Sequence, residues 1–302
     1  MISIALASYN GEKYIREQLD SILNQTIQDF EVIICDDCSN DNTWNIIEEY
    51  ANNDARFRCY KNEKNLGFIK NFEKAISLCE GDYVALCDQD DIWIQIHLEV
   101  LFSNIKNNNL CLGNALFING NNESLEQTHI SSLGGGIEFL DTIEKKIIRV
   151  LFRGNFCQGA SMLIKRDFLN RILPVPNCFS VHDVWFAMAA ICEKSFVFTP
   201  ETITLYRQHN TNVINRNIHK TNNFLNFKTL IKRNSNIKKE QIIYAKSNLK
   251  LSENVINLMN EAIDFHSKRN IIFRLNNINR YIKYYPYIYM TRKKIIFRII
   301  KY

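Results

Sequence analysis

Tyr83-Val84-Ala85-Leu86-Cys87-Asp88-Gln89-Asp90-Asp91-Ile92-Trp93 is the stretch from which the rest of the chain is read. Its apolar opening, Tyr83 to Leu86, has the length and composition of a buried strand. Three carboxylates follow within four residues. Acids placed where a strand ends and a loop begins lie at the sheet edge, where α/β proteins bind ligands. Like charges this close repel, and leaving them unpaired in a cleft is unfavourable. A divalent cation relieves the repulsion, and hard carboxylate oxygens suit magnesium or manganese. For the motif alone, a solvated acidic turn or a helix N-cap is the competing reading.

Working outward, strand and helix patterns alternate. Residues 2–8 read as a strand. Residues 12–24 read as a helix, with Tyr14, Ile15, Leu19, Ile22 and Leu23 at helical spacing. A strand at 30–35 follows, then a helix at 42–50 opened by the capping candidates Ser39, Asn40 and Asp41. A short strand at 57–60 and a helix at 67–79 lead into the strand at 83–87. This order predicts an α/β fold with a mostly parallel sheet and helices on both faces. Its binding crevice lies at the C-terminal ends of the strands. Ser8-Tyr9-Asn10, Asp36-Asp37 and Asp88-Gln89-Asp90 all fall there. Each could be a turn by itself; three after successive strands favour a metal site.

Beyond Trp93 the pattern predicts a helix to about Asn107, a strand at 110–118, a turn at 119–124 and a loop at 132–136. A strand at 159–164, a helix at 181–192 and a strand at 202–205 follow. From about Asn215 the chain is Gly-free, Asn/Lys-rich and helical in pattern, so the expected division is 1–214 and 215–302.

The 302 residues suffice for one large or two modest domains. No run of 18 apolar residues occurs, so no spanning helix is expected. The N-terminus enters a strand directly and predicts no secretory signal. Nine scattered cysteines, with one lone CxxC at Cys35/Cys38, fit buried thiols in a reduced cytosolic protein better than a disulfide scaffold. The net charge of +5 is unevenly spread. Ten Lys and Arg and no acid lie between Lys268 and Tyr302, leaving −5 on the first 267 residues. In that tail, Ile288, Ile295, Ile296, Ile299 and Ile300 share one helical face and Lys293, Lys294, Arg298 and Lys301 the other, with several tyrosines just before. Such a helix suits an anionic membrane surface; it suits packing on the body or on a second copy equally. An acidic body without a recognised module argues against nucleic acid as a partner.

The chain resembles a family 2 glycosyltransferase with a GT-A fold. The resemblance is carried by Ala7-Ser8-Tyr9-Asn10, Ser21-Ile22-Leu23-Asn24-Gln25-Thr26, Glu31 to Asp41, Asn65-Leu66-Gly67, Glu80-Gly81-Asp82-Tyr83, Asp88-Gln89-Asp90-Asp91 and His182-Asp183-Val184-Trp185. It covers residues 1 to about 214 in consistent order. The variants at 87–93 and 182–183 resemble a bacterial, rhamnosyltransferase-like subgroup. The family usually has Gly or a small polar residue where this chain has Cys38, and many relatives carry Arg where it has Lys70.

The resemblance implies an inverting transferase that moves a sugar from a nucleotide-diphosphate donor to a glycan or lipid-linked acceptor in bacterial surface polysaccharide biosynthesis. Asp36 is expected near the nucleobase, with Ser8 and Tyr9 in the same pocket, and Asn10, Asp37, Gln89 and Lys70 on the donor side. Asp88 and Asp90 form the DxD element: Asp90 is the expected ligand of Mn2+ or Mg2+, and Asp88 faces the ribose or metal-bound water. Asp183 matches the general base. Arg207 and His209, after the strand at 202–205, are expected on the diphosphate or the metal, with an exposed turn as the alternative. His182 and Trp185 are candidates for the acceptor side, although His182 also suits a cap neighbour and Trp185 the core. His97, His129, His219 and His266 lack ligand spacing and are expected at the surface. The expected location is cytoplasmic or peripheral on the inner membrane face.

The chemistry needs these groups. Negative charge builds on the leaving diphosphate, and a divalent cation stabilises it. The acceptor hydroxyl loses a proton as it attacks, and a carboxylate on the opposite face can take it. Two other classes remain: a nucleotidyltransferase, which would want a Gly-rich basic loop after the first strand, and a non-catalytic membrane-surface binder keeping the fold.

Overall fold

The computed structural model describes residues 1–133, 141–152, 156–209 and 237–267. The sheet begins with β1 (Ile2–Ser8), β2 (Phe30–Asp36), β3 (Phe57–Lys61) and β4 (Tyr83–Asp88), joined by α1 (Ile15–Leu23), α2 (Thr43–Asn53) and α3 (Phe68–Ser77). These strands lie in the order β3-β2-β1-β4 and all pair in parallel. β1 and β2 are buried along almost their whole length, which is why they read as continuous apolar runs rather than alternating ones. The register sets their ends level: Ser8 lies opposite Asp36, and Ala7 opposite Asp88. The polar groups expected at one edge therefore share it.

Beyond β4 the parallel pattern breaks. β5 (Ile92–Trp93), α4 (His97–Ile105), β6 (Leu110–Ile118), β7 (Ser124–Thr128), α5 (His129–Ser132) and α6 (Ile143–Phe152) come next. A 3-10 turn (Gly159–Ser161) then leads into β8 (Met162–Lys165), α7 (Arg166–Ile172), α8 (His182–Cys192) and β9 (Phe196–Arg207). β8 inserts antiparallel between β4 and β6, β9 runs parallel to β6, and β5 caps β9 antiparallel. β9 is twelve residues long where the pattern predicted four. Pro200 and Glu201 interrupt its apolar run, and the strand absorbs them through register shifts opposite Leu112–Ala115.

The chain divides into two compact units. Residues 1–129, 157–186 and 195–208 form the first, and 130–156, 187–194 and 209–302 the second. The first has a core of Ile4, Leu6, Ile15, Leu19, Val32, Ile34, Trp93 and Leu98. In the second, α6 packs on α10 (Glu253–Ser267), preceded by the helix α9 at 237–248. The boundary expected near 214 and the basic tail at 268–302 lie outside the described residues. Among the described residues, no helix is long and apolar enough to cross a membrane.

Two histidines expected at the surface are buried. His97 stacks on Trp93 with ring centroids 3.8 Å apart, and its Nδ1 lies 3.1 Å from the Ile203 carbonyl. His266 places Nε2 3.0 Å from the Leu151 carbonyl. Burial pushes His97 down to about 3, so its neutral ring behaves as an apolar plate with one satisfied nitrogen.

Candidate active site

The first group of acids closes the end of β2. Asp36 is wholly buried. Its Oδ1 accepts from the hydroxyls of Ser8 (3.0 Å) and Ser39 (2.5 Å), and its Oδ2 from the Ser39 N–H (2.9 Å). Ser39 Oγ in turn accepts the Asn10 N–H at 2.9 Å. Asp37 is also buried. Its Oδ1 takes the Leu66 N–H (2.7 Å) and Asn62 Nδ2 (2.8 Å), and its Oδ2 the Gly67 N–H (2.8 Å). Directly after them, Cys38 has a φ of 66°. That left-handed conformation favours glycine and explains why this position suits a small residue. These acids shape the loops around the crevice. Tyr9, 45% exposed, stands open to solvent at the β1 end.

The second group follows β4. Asp88 is half-buried, and burial, followed by the charges of Asp90 and Asp183, pushes its carboxyl up to about 7. Asp91 is fully buried. Its Oδ1 accepts the Arg207 N–H at 2.9 Å, while Oδ2 has no partner. Burial and then the charges of Asp90 and Asp88 hold its carboxyl well above the ordinary range. Gln89 turns away from its acidic neighbours: Oε1 accepts the Tyr9 N–H (2.8 Å) and Nε2 donates to the Tyr9 carbonyl (3.0 Å). A Cβ on Gly11 would sit 2.2 Å from that Oε1, so a larger residue there would displace the Gln89 amide from Tyr9.

The third contribution comes from the start of α8. Burial raises the Asp183 carboxyl to about 7, against the opposing pull of the backbone N–H groups of Val184 and Gly159. Its Oδ1 is buried without a partner. His182 is buried with its ring 4.2 Å from that of Phe72 and both nitrogens unpartnered. Burial lowers it to about 4, so it is neutral. Gln158 Oε1 is likewise buried and unpartnered. Unsatisfied buried polar atoms of this kind are rare, and each calls for an explanation.

Several expected residues lie elsewhere. Trp185 is a core residue, 2% exposed, donating Nε1–H to the Ile172 carbonyl at 2.8 Å and packed against Phe179; it has no face for an acceptor. Lys70 is exposed on α3 and pairs with Glu73 at 2.6 Å. Arg207, expected on the diphosphate, is 0% exposed. Its Nε donates to the Asp90 carbonyl (2.8 Å), its guanidinium bonds Glu17 (2.7 Å) and Asn122, and it lies 4.3 Å from the centre of the Tyr14 ring. His209 follows β9 by two residues, is half-buried and belongs to the second unit. Glu17 and Asn122 carry no signal in the sequence that marks them for the site, Asp91 reads there only as part of the acidic run, and the 155–158 segment that holds Gln158 suits an acceptor-pocket lining and a tight loop equally.

Among the described residues, no three His, Cys, Asp or Glu side chains are arranged to hold a metal ion by themselves. A magnesium-like ion needs only one or two carboxylates when substrate phosphates complete its shell. Asp88, raised to about 7 by burial and then by the charge of Asp90, fits that sharing together with Asp90.

Residues 3–173 match the family described as Glycosyl transferase family 2. The chain belongs to glycosyl transferase family 2. Within the family's wider range, it is 36% identical over 123 residues to the UDP-Glc:alpha-D-GlcNAc-diphosphoundecaprenol beta-1,3-glucosyltransferase WfgD of Escherichia coli, covering 40% of this chain and 48% of that one. The chain spans about half the length of the curated relatives it matches. Two solved structures share the fold. TarS 1-349 of S. aureus, in complex with UDP-GlcNAc, aligns with a TM-score of 0.62 at 19% identity, over 91% of this chain and 74% of that one. The mannosyltransferase PcManGT of Pyrobaculum calidifontis, in complex with GDP-Man and Mn2+, aligns with a TM-score of 0.54 at 14% identity, over 95% and 81%. The GT-A architecture expected of a family 2 member is thus present.

Proposed function

We propose that this family 2 member is an inverting glycosyltransferase, moving a hexose or deoxyhexose from a nucleotide diphosphate to a saccharide or lipid-linked saccharide of a bacterial surface polysaccharide. The observation that carries it is the convergence of Asp88 and Asp90, at the C-terminal end of β4, with Asp183, far from them in the chain, into one field of like charge. Asp183 is the base: its unpartnered Oδ1 accepts the proton of the acceptor hydroxyl as that oxygen attacks the anomeric carbon. An acid raised to about 7 is well matched to that task near neutral pH. A single base implies one displacement and inversion at the anomeric carbon.

Asp88 and Asp90 would hold Mn2+ or Mg2+. When bound, the ion stabilises negative charge on the leaving diphosphate. The β1 end, with Ser8, Tyr9 and Asn10, and the loops pinned by Asp36 and Asp37 shape the nucleotide side. The exposed Tyr9 ring offers a stacking face.

A lipid-linked acceptor is supported by the likeness to an enzyme named for a diphosphoundecaprenol acceptor. The basic, amphipathic segment at 268–302 suits an anionic bilayer, and we place the protein on the inner face of the cytoplasmic membrane. The experiment is a thermal-shift screen of nucleotide sugars with Mn2+. A donor-specific rise in melting temperature that vanishes with chelator supports the reading. No shift with any donor counts against it.

A further inference from the structure

The acidic loop is held from two sides by groups other than the acids proposed to meet the donor. On one side, Gln89 makes a two-point amide clasp on the backbone of Tyr9, with Gly11 leaving room beneath. On the other, Arg207 reaches the loop twice: its N–H goes to Asp91 Oδ1 and its Nε–H to the Asp90 carbonyl. The rest of the guanidinium is anchored on α1 through Glu17 and on the β6–β7 turn through Asn122. Three elements distant in sequence thus meet on one planar fork.

Burying a guanidinium completely is unfavourable unless its geometry is nearly saturated, and buried charge of this kind is better at fixing an arrangement than at adding stability. The shape of the fork also matters. Lysine, a point charge, cannot serve a main-chain carbonyl, a carboxylate and an amide oxygen at fixed angles. Within residues 88–91, Gln89 and Asp91 are occupied by framework contacts, while Asp88 and Asp90 belong to the field shared with Asp183.

We infer that Arg207 and Gln89 are positioning residues that fix where Asp88 and Asp90 present their carboxylates to the donor's divalent ion. This inference rests on the metal-site reading above. Arg207 acts through the Asp90 main chain and does not touch the diphosphate. Groups that orient metal ligands typically matter by about 10- to 100-fold in affinity.

The test uses the whole 302-residue chain, with Mn2+ binding followed by the electron paramagnetic resonance of free Mn2+, in the presence of UDP and, separately, GDP. Melting temperature is recorded in parallel. Arg207→Met is expected to weaken Mn2+ binding about 10- to 100-fold, with Arg207→Lys recovering part of the loss and Gln89→Ala giving a smaller one. Wild-type Mn2+ affinity in a folded Arg207→Met protein overturns the inference. If Arg207→Met does not fold, Glu17→Gln, which alters a carboxylate 43% exposed, carries the test. Weaker Mn2+ binding there supports the inference and unchanged binding overturns it. Asp90→Ala separates the two levels. If it binds Mn2+ like wild type, the metal site itself is misassigned and the inference falls with it. If it loses binding while Arg207→Met does not, only the positioning role is lost.

Discussion

Two pairs of aspartates in this molecule sit at the ends of regular elements and differ in almost everything else. Asp36 and Asp37, at the end of β2, are saturated by hydroxyl, amide and backbone donors. Asp88 and Asp183 carry carboxyls raised to about 7 by burial, and Asp183 keeps an oxygen with no partner at all. The first pair is consumed in building the crevice. The second is held in a state that favours picking up a proton or a cation. Motif position alone does not separate these roles; the count of donors around each carboxylate does.

The largest effect that would break this contrast is on the second pair. Asp183→Asn is expected to lower sugar transfer about 10²- to 10⁴-fold, measured as kcat/KM with the donor found by screening. Transfer close to wild type would place the base elsewhere. Next comes the first pair. Asp37→Ala removes three hydrogen bonds, leaving the Leu66 N–H without its acceptor while Gly67 N–H and Asn62 Nδ2 keep Asn65 and Asn71, and is expected to remove about 3 kcal/mol of stability in a urea titration. An unchanged midpoint would show that water replaces the carboxylate.

pH sharpens the contrast. Asp183 must be ionised to accept a proton, so kcat/KM is expected to rise with pH to a plateau, with a midpoint near 7 and a slope of one. Stability moves the opposite way. A carboxyl raised to about 7 from 3.8 binds its proton more tightly folded than unfolded, so its contribution falls as pH climbs from about 4 to about 7. Metal-free Asp183→Asn should therefore melt above wild type at pH 8, with the gap closing by pH 4. A gap independent of pH would mean that this carboxyl is not the source. The smallest effect is expected at Lys70→Ala: an exposed pair contributes at most about 1 kcal/mol, so donor KM should shift less than about fivefold. A larger shift would return Lys70 to the phosphate.

The parallel half of the fold was legible because strands buried on both faces announce themselves as unbroken apolar runs, and because α1 to α3 keep helical periodicity. β9 was harder. Its first half is only a short apolar run, Phe196-Val197-Phe198, Pro200 looks like a terminator, and only pairing with β6 carries the strand through. Asp88, Asp90 and Asp183 were legible as acids at the ends of regular elements. Arg207 was found but given the wrong surroundings, because Glu17 and Asn122 meet it only after the chain has folded back on itself. Trp185 was equally opaque: a tryptophan beside the proposed base reads the same whether its indole faces a sugar or the Ile172 carbonyl.

The clasp of Asp37 on the Leu66 and Gly67 amides has a consequence for how the molecule breathes. Those two N–H groups belong to a connection with no regular secondary structure, yet each is locked to a carboxylate rooted in the sheet. In deuterated water they should exchange on the slow timescale of β2, while the neighbouring amides of Glu63 and Lys64 exchange early. The rim of the nucleotide side would then be as rigid as the floor, and a donor would meet a shape already set rather than one it must mould.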